Sequence, residues 1–320
     1  MTYIYKSTFS NDIISFIKMK QSLGFSENTY ANALHLFDTY CLNMEPAPDK
    51  LTQELVEGWS VRRETESHNG QNRRLSTLRE FSKYLVLIGK GEYVVPTSMT
   101  GTNDPFVPYI YTDEEIKIFF HETDIVKPAK GSLNRELVLP VLFRMMFCCG
   151  LRPQETLKLR RENVDHDTGT LMIIDSKIHK DRSIVMAEDL ADLCRKYDDK
   201  MEKIIPDREF YFQHPKKGSN YSSNWQRQQF QRCWRSAGFR FRNGRHPRVY
   251  DFRHNYATRT IARWMDEGID VISHLPCLSE YMGHSSIEDT AYYIHLVPER
   301  FVASGISEWS GIPEVPYYED

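Results

Sequence analysis

The helical periodicity at the start of this chain is interrupted by a stretch of glycines, prolines and small polar residues that runs from Gly89 to Pro105. Such a composition is typical of a linker between domains. With 320 residues, the chain has room for two domains of ordinary size, each with its own apolar core. We therefore predict a first domain over residues 1–90, a linker over 91–105, a second domain over 106–297 and a tail over 298–320.

The first domain is predicted to be a small bundle of four amphipathic helices. Apolar residues recur at helical spacing in four segments before residue 90, and Thr52 is placed to cap the third helix. Periodicity alone does not indicate what the bundle does, because a helical domain of any function would show it.

The second domain carries several signals for the starts and ends of helices. Thr112 and Glu115 have the spacing of a capping box. A long apolar segment, predicted to be a buried helix, ends at Gly150, and Pro153 suits the first position of the next helix. Asp251 is a candidate N-cap for a later helix.

Two short β runs, residues 171–174 and 183–186, flank a polar segment and predict a hairpin. The predicted fold class is therefore mainly α with a small antiparallel β-sheet.

Composition limits the functions open to the chain. Apolar residues make up 40% and charged residues 27%, as in soluble globular proteins. The sequence contains no apolar run long enough to span a bilayer and no signal peptide, and its six cysteines form no C-x-x-C pair. We expect reduced thiols, a cytoplasmic location and no structural zinc. Without a phosphate-binding glycine loop or a convincing carboxylate pair, we also expect no metal, no ATP and no other cofactor.

Charge is distributed unevenly along the chain. The net charge is −3, yet residues 210–250 contain none of the 44 acidic residues. The same segment holds a series of lysines and arginines interleaved with aromatic residues, which favours a helix with one apolar side and one basic side. A solvated basic surface would give the same pattern, but its length favours a surface for nucleic acid.

Three short sequence motifs, called boxes below, contain most of the candidate catalytic residues. They are Cys149–Glu155, Tyr250–Thr258 and Gly283–His295, the last reading GHSSIEDTAYYIH. A tyrosine hydroxyl is a poor nucleophile near neutral pH, since its ordinary pKa is about 10. It can attack a phosphodiester if cations hold the phosphate and an acid protonates the leaving oxygen. In the last box, Ser285 and Glu288 predict a capping box at the start of a short helix.

Together, in this order and spacing, the boxes resemble those of the tyrosine recombinase (phage integrase) family. The resemblance covers roughly the last two thirds of the chain. It implies an N-terminal helical core-binding (SAM-like) bundle and a C-terminal α+β catalytic domain that together clamp DNA. It also implies a C-terminal tail that docks on a neighbouring subunit.

By this resemblance, Tyr293 is the nucleophile, and its neighbour Tyr292 is the competitor that the T-x-x-Y-x-H spacing rejects. The groups that hold the scissile phosphate are Arg152, Arg253, His284 and Tyr250. Residue spacing also places Glu155 three positions after Arg152, where its carboxylate could hold the guanidinium rigid.

Two catalytic positions leave alternatives open. The family lysine that protonates the leaving 5′ oxygen lies on the hairpin, where Lys177 matches it and Lys180 is a rival. The family usually has histidine where this chain has Tyr250, and a tyrosine is a doubtful proton acceptor. His246 and His254 are close in sequence and could compensate.

The remaining candidates are basic residues expected to contact DNA, in both predicted domains. They are Lys180, Arg182, Arg227, Arg240, Arg242, Arg245, Arg248, Arg73 and Arg74, with His35 as a further possibility.

The expected partner is double-stranded DNA with paired inverted-repeat core sites, bound by a dimer at each site and a tetramer when two sites meet, with no membrane involved. Because no further segment precedes the helical bundle, we expect action on core sites without arm-binding. A type IB topoisomerase-like enzyme, or a DNA-binding regulator with impaired catalysis, remains an alternative.

Overall fold

The computed structural model describes residues 3–101, 107–174, 181–239 and 246–297. The chain divides into two compact units, residues 1–106 and 107–320. The described part of the first unit contains α1 (Ser10–Ser22), α2 (Asn28–Leu42), α3 (Gln53–Ser60) and α4 (His68–Leu87). The described part of the second contains α5 (Asp113–Asp124), α6 (Arg135–Cys149), α7 (Pro153–Lys158), β1 (Val164–Asp165), β2 (Thr170–Ile173), β3 (Arg182–Val185), α8 (Glu188–Ile204), α9 (Ser223–Ser236), α10 (Asp251–Asp266), α11 (Val271–Met282) and α12 (Glu288–Ala291).

The predicted fold class, mainly α with a small antiparallel sheet, is confirmed. Short 3-10 helices add to these elements at Thr97–Met99, Arg161–Asn163 and Tyr292–His295. None of the described helices is both long and apolar enough to cross a membrane.

The four predicted helices of the first unit are present, and their apolar faces meet in one core. Phe16 of α1 and Phe81 of α4 are fully buried there and pack edge to face, with ring centroids 5.5 Å apart. Thr52 caps α3 as predicted, because its hydroxyl accepts a hydrogen bond from the Leu55 amide at 3.2 Å. Ser67 caps α4 in the same way, which the sequence analysis did not predict.

Helix α6 lies at the centre of the second unit, with α5, α8 and α10 packed around it. Its Phe143 contacts Phe119 of α5, Phe230 of α9 and Phe252 of α10, with ring centroids 5.5 to 6.0 Å apart. Near the C-terminal end of α6, Phe147 also packs on Phe252, with ring centroids 5.9 Å apart, and this contact holds that end beside the N-terminal turn of α10. The second and first sequence boxes thereby become neighbours in space.

Gly150 ends α6, as predicted, and only glycine fits there. Its φ is +62°, and a Cβ at this position would lie 2.7 Å from the ring of Tyr256. Pro153 then begins α7 at the first helical position, also as predicted. The two intervening residues, Leu151 and Arg152, are therefore held in a fixed turn.

The sheet has three antiparallel strands in the order β1-β2-β3. Strands β2 and β3 confirm the predicted hairpin, with Leu171 opposite Ile184 and Ile173 opposite Arg182. The turn that joins them, residues 175–180, lies outside the described residues. Strand β1 was not predicted, because two residues are too few to show an alternating pattern.

Capping predictions in the second unit succeeded once and failed twice. Thr112 and Glu115 form the full capping box. The predicted box at Ser285 is wrong, since α12 begins only at Glu288 and has no side-chain cap. Asp251 is also not an N-cap: it is the first residue of α10, and its carboxylate accepts from the Arg248 amide at 2.7 Å.

Candidate active site

Arg152 projects from the turn between α6 and α7, where Glu155 holds it twice. Its Nη1 donates to Glu155 Oε1 at 2.6 Å, and its backbone amide donates to Oε2 at 2.9 Å. The spacing of the two residues had suggested this contact. The other terminal nitrogen, Nη2, donates to the carbonyl oxygen of Gly283, in the last sequence box.

Arg253 lies in the first turn of α10 and is only 1% exposed. Its Nη1 donates to the carbonyl of Gly150 at 2.8 Å, and its Nη2 donates to the carbonyl of Met282. Its buried Nε has no hydrogen-bond partner among the residues that the structure describes. Burial and the nearby charge of Arg152 lower the pKa of Arg253 to about 10. A buried cation beside another cation favours the entry of an anion.

Tyr293 lies in the 3-10 helix after α12 and is 4% exposed. Its Oη is 2.9 Å from Nδ1 of His254, one residue after Arg253 in α10. The ring of His284 lies nearly parallel to the tyrosine ring, with centroids 6.2 Å apart, and its Nδ1 is 2.7 Å from Thr290 Oγ1. Burial raises the pKa of Tyr293 above its ordinary value, although Arg253 opposes that effect.

Both histidines beside Tyr293 are neutral near neutral pH. Burial, followed by the positive charges of Arg248 and Arg253, lowers the pKa of His254 to about 4. Burial and the charges of Arg253 and Arg152 lower the pKa of His284 to about 4. Each imidazole can therefore act as a hydrogen-bond donor or acceptor without carrying charge.

Tyr250, which stands where the family usually has histidine, is 40% exposed at the N-cap of α10. Its ring contacts the ring of His254, with centroids 5.2 Å apart. Tyr292, the competing tyrosine, is equally exposed, whereas Tyr293 is buried near Arg253. Lys177 and Lys180 lie outside the described residues.

Arg182 requires a correction, because it is buried rather than available to DNA. Its two terminal nitrogens donate to the two carboxylate oxygens of Glu155, at 3.0 and 2.8 Å, and its Nε donates to the carbonyl of Tyr281 at 2.8 Å. Burial alone would raise the pKa of Glu155, but the bonds and charge of Arg182, with those of Arg152, lower it to about 2. Arg182 thus helps to position Arg152 through a shared carboxylate.

A signal in the sequence could have revealed this. Arg182 and Ile184 are two positions apart in β3, so both side chains lie on the same, buried face of the strand. The period-2 pattern of a half-buried strand therefore places Arg182 on the core side.

Arg74 also requires a correction. It is 4% exposed, it pairs with both oxygens of Glu66 at 2.9 and 2.7 Å, and its guanidinium lies over the ring of Trp59. It therefore stabilises the first unit and cannot contact DNA without leaving the core. Arg73 is exposed, and His35 is half-buried against the ring of Tyr3.

The basic segment of the second unit has the two-sided character expected. Helix α9 buries Phe230 and Trp234 and exposes Arg227, Arg232 and Arg235. Arg248 is exposed too, and it pairs with Asp251 at 3.2 Å. Three further candidates, Arg240, Arg242 and Arg245, fall outside the described ranges. Across those ranges, no cluster of three or more His, Cys, Asp or Glu side chains is arranged to hold a metal ion.

Residues 112–300, more than half of the chain, match the phage integrase family. The chain therefore belongs to this family of tyrosine recombinases, and the resemblance seen in its sequence boxes is confirmed. Membership implies that it cleaves and rejoins DNA strands.

Individual relatives support the family over most of the chain. The protein y4rB of Sinorhizobium fredii, an integrase/recombinase by name, is 26% identical over 303 residues, covering 92% of this chain and 94% of the relative. Tyrosine recombinase XerC of Oceanobacillus iheyensis is 25% identical over 241 residues, covering 73% of this chain and 72% of XerC.

Among solved structures, the XerH site-specific recombinase bound to a palindromic difH substrate, in a post-cleavage complex, aligns with a TM-score of 0.65 at 20% identity. The alignment covers 88% of this chain and 79% of XerH. The Tn1549 transposon integrase in complex with a circular intermediate DNA aligns with a TM-score of 0.64 at 14% identity, over 88% of this chain and 94% of that one. At these identities the likeness shows the fold.

Proposed function

We propose that this protein is a site-specific recombinase that exchanges DNA strands between two sites through a 3′-phosphotyrosyl intermediate. One observation carries the proposal. The turn Met282–His284 accepts hydrogen bonds from Arg253 of α10 and from Arg152 of the turn between α6 and α7, and it sets His284 beside the ring of Tyr293. Two cations, an imidazole and a phenol are thus gathered around one turn, and we infer that the scissile phosphate binds there.

In the proposed reaction, Arg152 and Arg253 neutralise the charge that grows on the phosphate oxygens in the transition state. Neutral His284 adds a hydrogen bond to the same phosphate. Tyr293 Oη gives up its proton to a base and bonds to phosphorus, the bond from phosphorus to the 5′ oxygen breaks, and Lys177 gives that oxygen a proton. A 5′ hydroxyl of another strand then reverses these steps. Since the phosphotyrosyl bond retains the energy of the broken linkage, the cycle requires neither ATP nor a metal.

We further propose that the substrate is double-stranded DNA with paired inverted-repeat core sites. The exposed arginines of α9 and Arg248 would contact the backbone from the catalytic unit, and Arg73 would do so from the helical unit, with the linker between them. A dimer would occupy each site, and a tetramer would join two sites in the cytoplasm. The tail 298–320, which lies outside the described residues, would dock on a neighbouring subunit.

The test begins with the DNA that flanks the gene, where imperfect inverted repeats would supply a candidate site. In a duplex of that site with a nick near the cleavage position, attack by the tyrosine releases a short fragment that carries the free 5′ hydroxyl. Without this fragment the strand cannot be rejoined, so the covalent complex accumulates. We expect trapping by the wild type and by Tyr292→Phe, and none by Tyr293→Phe. Equal trapping by the wild type and Tyr293→Phe would overturn the assignment of the nucleophile.

Strand exchange separates recombination from the topoisomerase reaction. Two plasmid-borne copies of the site should yield recombinant products that depend on Tyr293. Relaxation of supercoils without recombinants would instead favour a nicking and resealing enzyme.

A further inference from the structure

The contact between His254 and Tyr293 has no assigned part in the reaction proposed above. His254 Nδ1 lies 2.9 Å from Tyr293 Oη, within the range for direct proton transfer. Both side chains belong to fixed elements. His254 lies in α10, which is anchored by the aromatic core, and Tyr293 belongs to an apolar cluster with Ala257 and Ile261 of that helix. The pair is therefore part of the fold of the second unit.

We propose that His254 is the general base that accepts the phenolic proton of Tyr293 during DNA cleavage. The proposal rests on the proposed function and assigns a proton-transfer role within it. As Tyr293 Oη forms its bond to phosphorus, its proton passes to His254 Nδ1, which becomes an imidazolium. The leaving 5′ oxygen receives a different proton, from Lys177. In the resealing step, His254 returns its proton to the released phenol, so that the cycle balances.

The groups around His254 keep its imidazole neutral, and only the neutral ring can accept a proton. Arg248 and Tyr250 face it from the start of α10, Arg253 precedes it in the helix, His284 faces it from the turn after α11, and Tyr293 bonds to it. Burial, followed by the charges of Arg248 and Arg253, holds the imidazole neutral, with a pKa of about 4. For Nδ1 to accept the proton, the resting hydrogen must be on Nε2. Arg253 also lies close enough to the phenol of Tyr293 to oppose the effect of burial on its pKa.

Tyr250 cannot take this role. A phenol is protonated near neutral pH and has no basic lone pair comparable to that of imidazole. In this chain its ring instead packs on the ring of His254. Tyr250 therefore supports the base from the solvent side, and the proton acceptor has moved from the usual position to His254.

The experiment measures single-turnover cleavage of the nicked duplex by the full chain over about pH 6 to 8. The wild type should show no loss of rate from protonation of the base in this range, because His254 stays neutral. His254→Gln retains a hydrogen-bond acceptor but cannot take a proton, so its rate should fall about 10²- to 10⁴-fold near neutral pH. The remaining rate should then rise about tenfold for each pH unit, since hydroxide must remove the phenolic proton.

A matched control and a second variant guard against simple loss of folding. His274→Gln makes the same change at an exposed histidine of α11 and should cleave like the wild type. His254→Ala leaves a space for added imidazole, which should restore cleavage in proportion to its neutral form. A substrate with sulfur in place of the leaving 5′ oxygen, which needs no acid, should rescue Lys177→Ala but not His254→Gln.

The possible failures are distinguishable. Cleavage by His254→Gln at the wild-type rate, while Tyr293→Phe is inactive, would overturn the inference and leave the proposed function intact. Rescue of His254→Gln by the sulfur substrate would make His254 an acid and would also overturn it. Equal trapping by the wild type and Tyr293→Phe would overturn both.

Discussion

Glu155 is the residue on which the arginine arrangement of the catalytic unit depends. Its carboxylate binds Arg152 on one side and Arg182 on the other, and the three side chains are largely buried. Replacing it with glutamine keeps the size of the side chain but leaves two buried guanidinium groups without their shared counter-charge. We expect Glu155→Gln to lower the free energy of unfolding by about 3 kcal/mol near neutral pH, as is typical when one partner of a buried ion pair is removed.

The stability that Glu155 contributes should depend on pH, and its lowered pKa determines in which direction. The pKa of Glu155 falls from an ordinary 4.5 to about 2 in the folded chain. Its contribution is therefore complete above about pH 4.5 and disappears as the pH falls toward 2. Urea denaturation at about pH 6 and about pH 3.5 should show a smaller acid-induced loss for Glu155→Gln than for the wild type. Glu162→Gln, at an exposed carboxylate, should keep the wild-type loss; an unchanged loss in both variants would contradict the prediction.

At this scale, sequence reasoning found the pair Arg152 and Glu155 because the two residues are three positions apart in one box. It missed that Arg182, 27 positions after Glu155, binds the same carboxylate. The link between the hairpin and the first box is made by folding, so no local spacing could reveal it. The same reason explains why sequence left His254 and His246 as equal substitutes for the missing histidine. Only the folded positions of α10 and the 3-10 helix bring His254 to Tyr293.

At the scale of elements, the end of α6 sets the position of Arg152, and Gly150 is its determinant. An alanine there would have to adopt a φ near +62° and push its Cβ against the Tyr256 ring. We expect Gly150→Ala to cost about 1–2 kcal/mol for the left-handed backbone and a further 1–3 kcal/mol for the steric conflict. Cleavage should fall as well, because the Gly150 carbonyl binds Arg253.

Gly268→Ala is the matched control for this prediction. Gly268 has a similar φ of +69°, but its Cβ would meet no atom within 4 Å. Thermal or urea denaturation of the two variants therefore separates the backbone cost from the steric one. Equal destabilisation by the two substitutions would show that the close approach of Tyr256 is not a constraint.

Glycine and proline made the helix boundaries around Gly150 and Pro153 predictable, because each residue type restricts the backbone directly. Side-chain caps were less predictable. Thr112 immediately precedes a three-turn helix and forms its box. Ser285 has the same spacing to Glu288, yet the chain there is still in the turn after α11, where the His284 amide bonds to the Ser279 carbonyl. A capping pattern is informative only where the helix begins directly after the first residue of the pattern, as it does after Thr112 but not after Ser285.

At the scale of the whole molecule, the proposed oligomer raises the question of which protomer would supply the nucleophile to each DNA site. Tyr293 is bonded to His254 of its own chain, and the adjacent Leu296 and Val297 are buried in the same apolar cluster. Delivery to a neighbouring protomer would first require these side chains to leave their own cluster, at about 1.5–3 kcal/mol each. We therefore expect each protomer to cleave with its own tyrosine.

Mixing two inactive or weakened proteins tests this expectation. Tyr293→Phe has intact arginines but no nucleophile, whereas Arg253→Lys keeps the nucleophile but loses the planar group that bonds Gly150 and Met282 at once. If the tyrosine acts within its own protomer, no site in the mixture combines Tyr293 with Arg253, and covalent trapping should not exceed that of Arg253→Lys alone. Exchange between protomers would instead create complete sites, and trapping in the mixture would rise toward the wild-type level. The comparison should use protein concentrations at which each variant alone saturates the DNA site.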